Sequence, residues 1–332
     1  MRRLGIALLL VALLLPGTSV GSPPSGITTE WVIVPTEGGA TVDGYLAYPT
    51  SGTPTTLVVM AHGVGNTVQG AWTGHVEETA SHGAVALAIN FRDNLGFPVM
   101  QGAEDLNNAA LQTLARFPTI DTVVLFGVSM GGAVSGTALT LEAERAPGVP
   151  LWDYWFDIEG VSNLFETYYQ AKAVGHSAAA GIERDAGGSP EQVPAAFVAR
   201  SPALNAHKMG YLKGAFLVHA LNDGTVPYNQ GREMQAGLTA AGVTTEFVTI
   251  LGEERDHTEG TTGTGRIFGL AKLPDPSEVS TLHLAGHAWE GDREARVMAY
   301  GFERLFALLA GESFSLPKDD VHVGPVLGGV LA

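Results

Sequence analysis

The sequence has no cysteine. Disulfides and a lipoprotein-type anchor are therefore excluded together. Basic residues are scarce: 18 Lys and Arg stand against 34 Asp and Glu, for a formal charge of −16. Such a chain is repelled by phosphate backbones, which argues against nucleic acid as a partner. Long apolar runs are missing after the first residues. There, "MRRLGIALLLVALLLPGTSVGS" sets Arg2 and Arg3 before an apolar stretch from Leu4 to Leu15. The stretch is short for a bilayer span and is followed by Pro16 and small residues. That is the order of a secretory signal, here residues 1–21, with an uncleaved N-terminal anchor as the alternative. The tail "VGPVLGGVLA" is too short and too glycine-rich to cross a membrane, so no stable span remains once the signal is cleaved.

What is present suits a sizeable globular core: 332 residues, 45% apolar and 16% charged. "TEWVIVPT" and "ATVDGYLAYPT" read as two strands joined by a turn at Glu37, Gly38 and Gly39. "TTLVVMAHG" is a near-continuous apolar strand of the kind buried on both faces. Further strands are expected in "AVALAINFRD", "TVVLFG", "YWFDIEG", "GAFLVHA" and "TTEFVTIL". Helical stretches are expected in "HVEETASHG", "AEDLNNAALQTLARF" and "DREARVMAYGFERLFALLAG". The alternation predicts a doubly wound, mostly parallel sheet of eight strands with an antiparallel pair at its start. Two segments interrupt it. Residues 160–207 read as a small helical cap or lid, and 253–280, rich in Gly, Thr and acidic groups, as a second excursion. The catalytic domain is expected over 28–312, with 313–332 as a tail.

The sharpest local signal is "VVLFGVSMGG" at 123–132. A β-branched and aromatic strand stops at Ser129, fenced by Gly127, Gly131 and Gly132, and small helix-compatible residues follow. Strand, G-x-S-x-G, helix is a nucleophile elbow. The tight turn lifts the serine hydroxyl clear of the sheet, and the glycines remove side chains that would clash. A serine nucleophile needs a base, an orienting carboxylate and donors for the oxyanion. "VVMAHGVGN" ends a strand at His62-Gly63, and the N–H groups of Val64 and Met130 are the candidate oxyanion donors. His62 itself reads as a structural residue of that loop. "FLVHALNDGTVP" presents Asp223 in the turn after a strand, either as the carboxylate or as a plain turn former.

Taken together, "GVSMGG", "GGSPEQVPAAFVARSPALNA" and "NDGTVPYNQGREMQAGLTAAGVTTEFV" resemble the catalytic domain of the prolyl oligopeptidase family of α/β-hydrolases, over most of residues 28–310. The resemblance implies an α/β-hydrolase fold and a Ser–Asp–His triad with Ser129 and Asp223 in the first two roles. It also implies an N-terminal β-propeller in the peptidase members, for which the stretch before Ser129 is too short. A stand-alone esterase is therefore expected before a peptidase.

Two histidines compete for the base. His257 follows Asp223 by 34 residues and the last clear strand directly, whereas His287 follows by 64 and runs into the C-terminal helix. Glu253, Glu254, Asp256 and Glu259 would favour a charged His257, a poor setting for a resting base. His287 is preferred, and His257 stays the alternative. Trp289 and Tyr168 are expected to face substrate. Trp152, Tyr154, Trp155 and Phe156 either line an apolar pocket or are core residues of a strand, core being preferred for the alternating members.

The expected protein is a secreted serine hydrolase acting on a small-molecule or polymeric carboxylic ester through an acyl-enzyme, with no cofactor or metal. A peptidase or aminopeptidase on short peptides is one alternative. A non-catalytic extracellular binding module of the same fold is the other.

Overall fold

The computed structural model describes residues 26–93, 96–173, 175–221, 223–251, 287–288, 290–293 and 295–322. Its centre is the strand run that the sequence makes most apolar. β3 (Thr56–Ala61), β4 (Val85–Ile89) and β5 (Thr122–Val128) bury nearly every side chain. Leu57, Val58, Val59 and Met60 have no exposed surface. Each such side chain contributes about 1.5–3 kcal/mol through removal from water. Alternate residues serve opposite faces, so Leu57 and Val59 join one core while Val58 and Met60 join the other. Both faces must therefore be covered by helices.

β1 (Ile27–Pro35) and β2 (Thr41–Pro49) form the expected antiparallel pair, turning through Glu37–Gly39. β2 then lies antiparallel to β4, and from β4 onward every pairing is parallel. The remaining strands are β6 (Tyr154–Ile158), β7 (Gly214–Ala220), β8 (Thr245–Ile250) and β9 (Lys318–His322). The order is β1-β2-β4-β3-β5-β6-β7-β8-β9. The sheet thus has nine described strands, one more than expected. The extra one is β9, which lies in the stretch read as tail. Its sequence "KDDVH" lacks the apolar alternation that marks a strand. It pairs because Lys318 to His322 run parallel to Glu246 to Ile250 at the open edge of β8.

One layer holds α1 (Thr73–Ser81) and α8 (Arg296–Leu309). The other holds α2 (Val99–Arg116), α3 (Met130–Arg145) and α7 (Asn229–Ala240). α7 was not expected as a helix: Gly231, Gly237 and several polar residues blur its pattern. The insertion after β6 forms α4 (Leu164–Ala173), α5 (Ala178–Ala186), α6 (Pro194–Ala199) and a 3-10 turn at Ala203–Lys208. Its start is bolted to α7, because Gln230 Oε1 accepts the N–H groups of Ser162 and Asn163 at 2.8 and 2.9 Å. Among the described residues no helix is long and apolar enough to cross a membrane.

Candidate active site

The elbow is built as its glycines require. Ser129 joins β5 to α3 at φ 56°, ψ −123°, a conformation that costs a side-chain-bearing residue about 1–3 kcal/mol. Three backbone hydrogen bonds hold it. Ser129 N–H donates to Ile158 O at 3.0 Å, and Ser129 O accepts from Gly132 N–H at 2.9 Å and Val161 N–H at 3.0 Å. No side chain fits at its three glycines. A Cβ on Gly127 would meet Gly131 O at 2.4 Å, and one on Gly131 would meet Ala61 O at 2.1 Å. One on Gly132 would meet both Asp157 Oδ1 and Gly160 Cα at 2.4 Å.

Two loops from the same end of the sheet converge on Ser129. The turn after β7 supplies Asp223, and residue 287, just before α8, is a histidine. His287 Nε2 lies 3.1 Å from Ser129 Oγ, and its Nδ1 lies 2.7 Å from Asp223 Oδ2. An ionised Asp223 only accepts, so Nδ1 carries the hydrogen and Nε2 is left to accept from the serine hydroxyl. Asp223 Oδ1 accepts the N–H groups of Thr225 and Val226, both at 2.8 Å. Burial works against the Asp223 charge. His287 beside it, with His219, nonetheless holds the carboxyl below its ordinary range. Burial likewise opposes a charged His287, but the Asp223 charge and hydrogen bond, with Glu159 and Glu290, shift it upward. The imidazolium, the state reached once the serine proton is taken, is thereby favoured, and the neutral, base-competent imidazole stays the minority form until the pH approaches about 9.

The structure thus brings Ser129, Asp223 and His287 together. His257, the alternative base, and Trp289 lie outside the described residues. Met130 is the first residue of α3, and its side chain is buried. Val64 stands on the loop after β3 with its side chain exposed. That loop reaches the serine: a methyl on Gly63 would sit 3.2 Å from Ser129 Cβ. Tyr168 does not line a cleft as expected. It is fully buried, packed edge-on against Phe197, and its hydroxyl bonds to Glu183 and accepts from Lys172 Nζ at 2.7 Å. It packs the helical insertion because α4 turns that face toward α5 and α6. Of the four aromatic residues at 152–156, Trp152, Trp155 and Phe156 are fully buried in the core, and Tyr154 is half-buried.

Two carboxylates that the sequence reading passed over belong to this cluster. Glu290 Oε1 accepts Gly63 N–H at 2.6 Å, and its Oε2 accepts Trp72 Nε1–H at 2.5 Å. Its backbone oxygen pairs with His75 Nε2 at 2.7 Å. Burial pushes the Glu290 carboxyl up to about 7, against the pull of the Trp72 and Gly63 donors. Glu159 follows β6 at φ 49° and is fully buried. Its Oε2 accepts Ala288 N–H at 2.9 Å and lies 3.6 Å from His287 Nδ1. The available signal was two acids, Asp157 and Glu159, in an otherwise apolar parallel strand segment, where carboxylates are expensive.

A hydroxyl on a tight turn, hydrogen-bonded to an imidazole whose other nitrogen faces a buried carboxylate, in an α/β sheet of this order, defines a serine hydrolase of α/β-hydrolase fold. The model of the prolyl oligopeptidase family matches residues 100–266, half of the 332-residue chain, and the chain belongs to that family. No curated protein matches it in sequence. Among solved structures it is similar to carboxyl esterase 2 from the mycorrhizal fungus Tuber melanosporum, with 17% identity, TM-score 0.59 and 88% of each chain covered. It is also similar to the acylaminoacyl peptidase of Pyrococcus horikoshii, with 18% identity and TM-score 0.55, over 68% of this chain and 37% of that one. A puromycin-hydrolyzing peptidase of Mycobacterium tuberculosis matches with 17% identity and TM-score 0.56, over 87% and 41%. These likenesses show the fold.

Proposed function

We propose that the chain is an exported esterase that cleaves carboxylic esters through Ser129, His287 and Asp223. The observation that carries the reading is the 3.1 Å approach of His287 Nε2 to Ser129 Oγ on a strained elbow, with Asp223 seated on Nδ1. His287 takes the hydroxyl proton as Ser129 Oγ attacks the ester carbonyl. Asp223 steadies the imidazolium, and Met130 and Val64 N–H groups receive the oxyanion. His287 then returns the proton to the leaving alcohol. Water, deprotonated by the same imidazole, releases the acid and restores the serine. No step needs a cofactor. The signal-like residues 1–21 support export, after which an extracellular or periplasmic location follows. The likeness to a carboxyl esterase over 88% of that chain, against 37% and 41% of the two peptidases' own lengths, supports an ester as substrate.

The test is hydrolysis of a short-chain chromogenic ester by the protein and by Ser129→Ala. Activity that disappears in the variant is the expected result. Full activity in Ser129→Ala overturns the reading. Faster cleavage of a matched peptide anilide than of the ester transfers it to the peptidase class. A folded protein that fails to react with a fluorophosphonate supports a binding module instead.

A further inference from the structure

Among the described residues only two that carry a side chain adopt positive φ: Ser129 and Glu159. The first is explained by the elbow. The second has no part in the reaction just described, yet its backbone is fixed, with Glu159 N–H donating to Val218 O at 2.9 Å. This backbone aims the Glu159 carboxyl at the face of His287 that Asp223 already occupies. Oε2 stands 3.6 Å from Nδ1 and is anchored by Ala288 N–H at 2.9 Å. Oε1 is buried with no hydrogen-bond partner among the described residues. Ligating atoms of Glu159, Asp223 and His287 all lie within 4.8 Å of one another. A strained residue and a half-unsatisfied buried carboxyl are both costly.

We propose that Glu159 is a second acid for His287, a positioning residue able to take the Nδ1–H hydrogen bond when Asp223 carries no charge. The inference rests on the assignment of His287 as base. In the native site the two carboxyl groups share one negative charge, since like charges this close and this deep do not both ionise. The charge stays on Asp223, which accepts Thr225 N–H, Val226 N–H and His287 Nδ1–H. Glu159 keeps its proton, because burial and the Asp223 charge push it up to about 8. The other titratable groups facing this cluster are His219 on β7 and Glu290 beyond His287; Asp157, two residues earlier on β6, is felt by His219. When Asp223 is made neutral, the repulsion on Glu159 is removed. Its proton passes to solvent, and Oε2 becomes the acceptor for Nδ1–H. His287 then still cycles one proton between Ser129 and the leaving alcohol.

The experiment compares kcat and the pH profile of ester hydrolysis for the native protein, Asp223→Asn, Glu159→Gln, the double variant and Ser129→Ala. Each is checked for native folding by near-ultraviolet circular dichroism. Removing the acid of such a site ordinarily costs about 10⁴ in kcat. Here Asp223→Asn is expected to lose only about 10- to 100-fold. Its residual activity should rise with pH along a limb displaced upward from the native one, because Glu159 must now ionise. Adding Glu159→Gln, which keeps an acceptor for Ala288 N–H, should remove that residue of activity and its limb. Asp223→Asn no more active than the folded double variant overturns the proposal. So does an acid limb in the single variant that does not move. If Ser129→Ala is as active as the native protein, it is the esterase reading itself that fails.

Discussion

Glu290 Oε1 accepts the N–H of Gly63 at 2.6 Å, across 227 residues of sequence. The segment that carries the base thereby grips the loop beside the nucleophile, and Trp72 Nε1–H closes the grip from the side of α1. Replacing Glu290 by Ala strands two buried donors, at about 1–3 kcal/mol each. Glu290→Ala should therefore lower Tm and also lower kcat on the chromogenic ester, since the loop bearing Val64 loses its tether. A lower Tm with unchanged kcat would separate the tether from the chemistry.

Gly131 is the least replaceable residue of the elbow. An added Cβ would sit 2.1 Å from Ala61 O and 2.8 Å from Ala61 C, both backbone atoms of β3 that cannot rotate away. Gly131→Ala should cost more than about 4 kcal/mol, within the range of severe backbone lesions, and yield little folded protein. Soluble expression and a thermal melt at native Tm would contradict this.

Stability should fall as pH rises from 6.5 to 8. Burial holds Glu159 at about 8, and Glu290 and Asp157 at about 7, while the unfolded chain loses these protons near ordinary carboxyl values. The native state then binds more protons than the unfolded state, so unfolding free energy decreases with pH by up to about 1.4 kcal/mol per unit for each such group. His287 acts in the same direction, because its raised pKa stabilises below the unfolded value and that contribution fades above it. His75, lowered to about 4 by burial, opposes this only below its ordinary value of 6.5. Tm measured across the window should decline, and Asp157→Asn should flatten the decline. A flat or rising native curve would show that these acids are ionised in the folded protein.

Tyr168→Phe should leave KM for the ester unchanged. The ring is buried among the helices of the insertion, and only the hydroxyl contacts to Glu183 and Lys172 are lost. The expected penalty is about 0.5–1.5 kcal/mol of stability. A several-fold change in KM would place the residue near substrate after all.

The parts legible in the sequence are those written in short range. Three glycines around Ser129 mark the elbow because each clash they relieve involves the turn itself or the adjoining strands. Apolar runs such as Leu57 to Met60 mark strands buried on both faces. The hairpin of β1 and β2 was visible through its turn at Gly38 and Gly39. Glu290 and Glu159 were not visible, because their partners, Gly63 and Ala288, lie 227 and 129 residues away. A carboxylate looks alike on a surface and in a core until its partners are known. β9 was missed for a related reason: "KDDVH" has no pattern of its own and becomes a strand only because β8 offers it an edge.

That edge pairing has a bearing on how the chain is made. β8 is exposed to pairing until Lys318 to His322 arrive, after every other described element has been synthesised. A chain stopped at residue 312 would keep its nucleophile and its base yet present an unpaired row of N–H and C=O groups along Thr245 to Ile250. Such a bare edge is a template for a second molecule. The five residues of β9, four of them polar, act as a seal against self-association, and a shortened protein would be expected to form oligomers or precipitate while its monomeric fraction stayed competent.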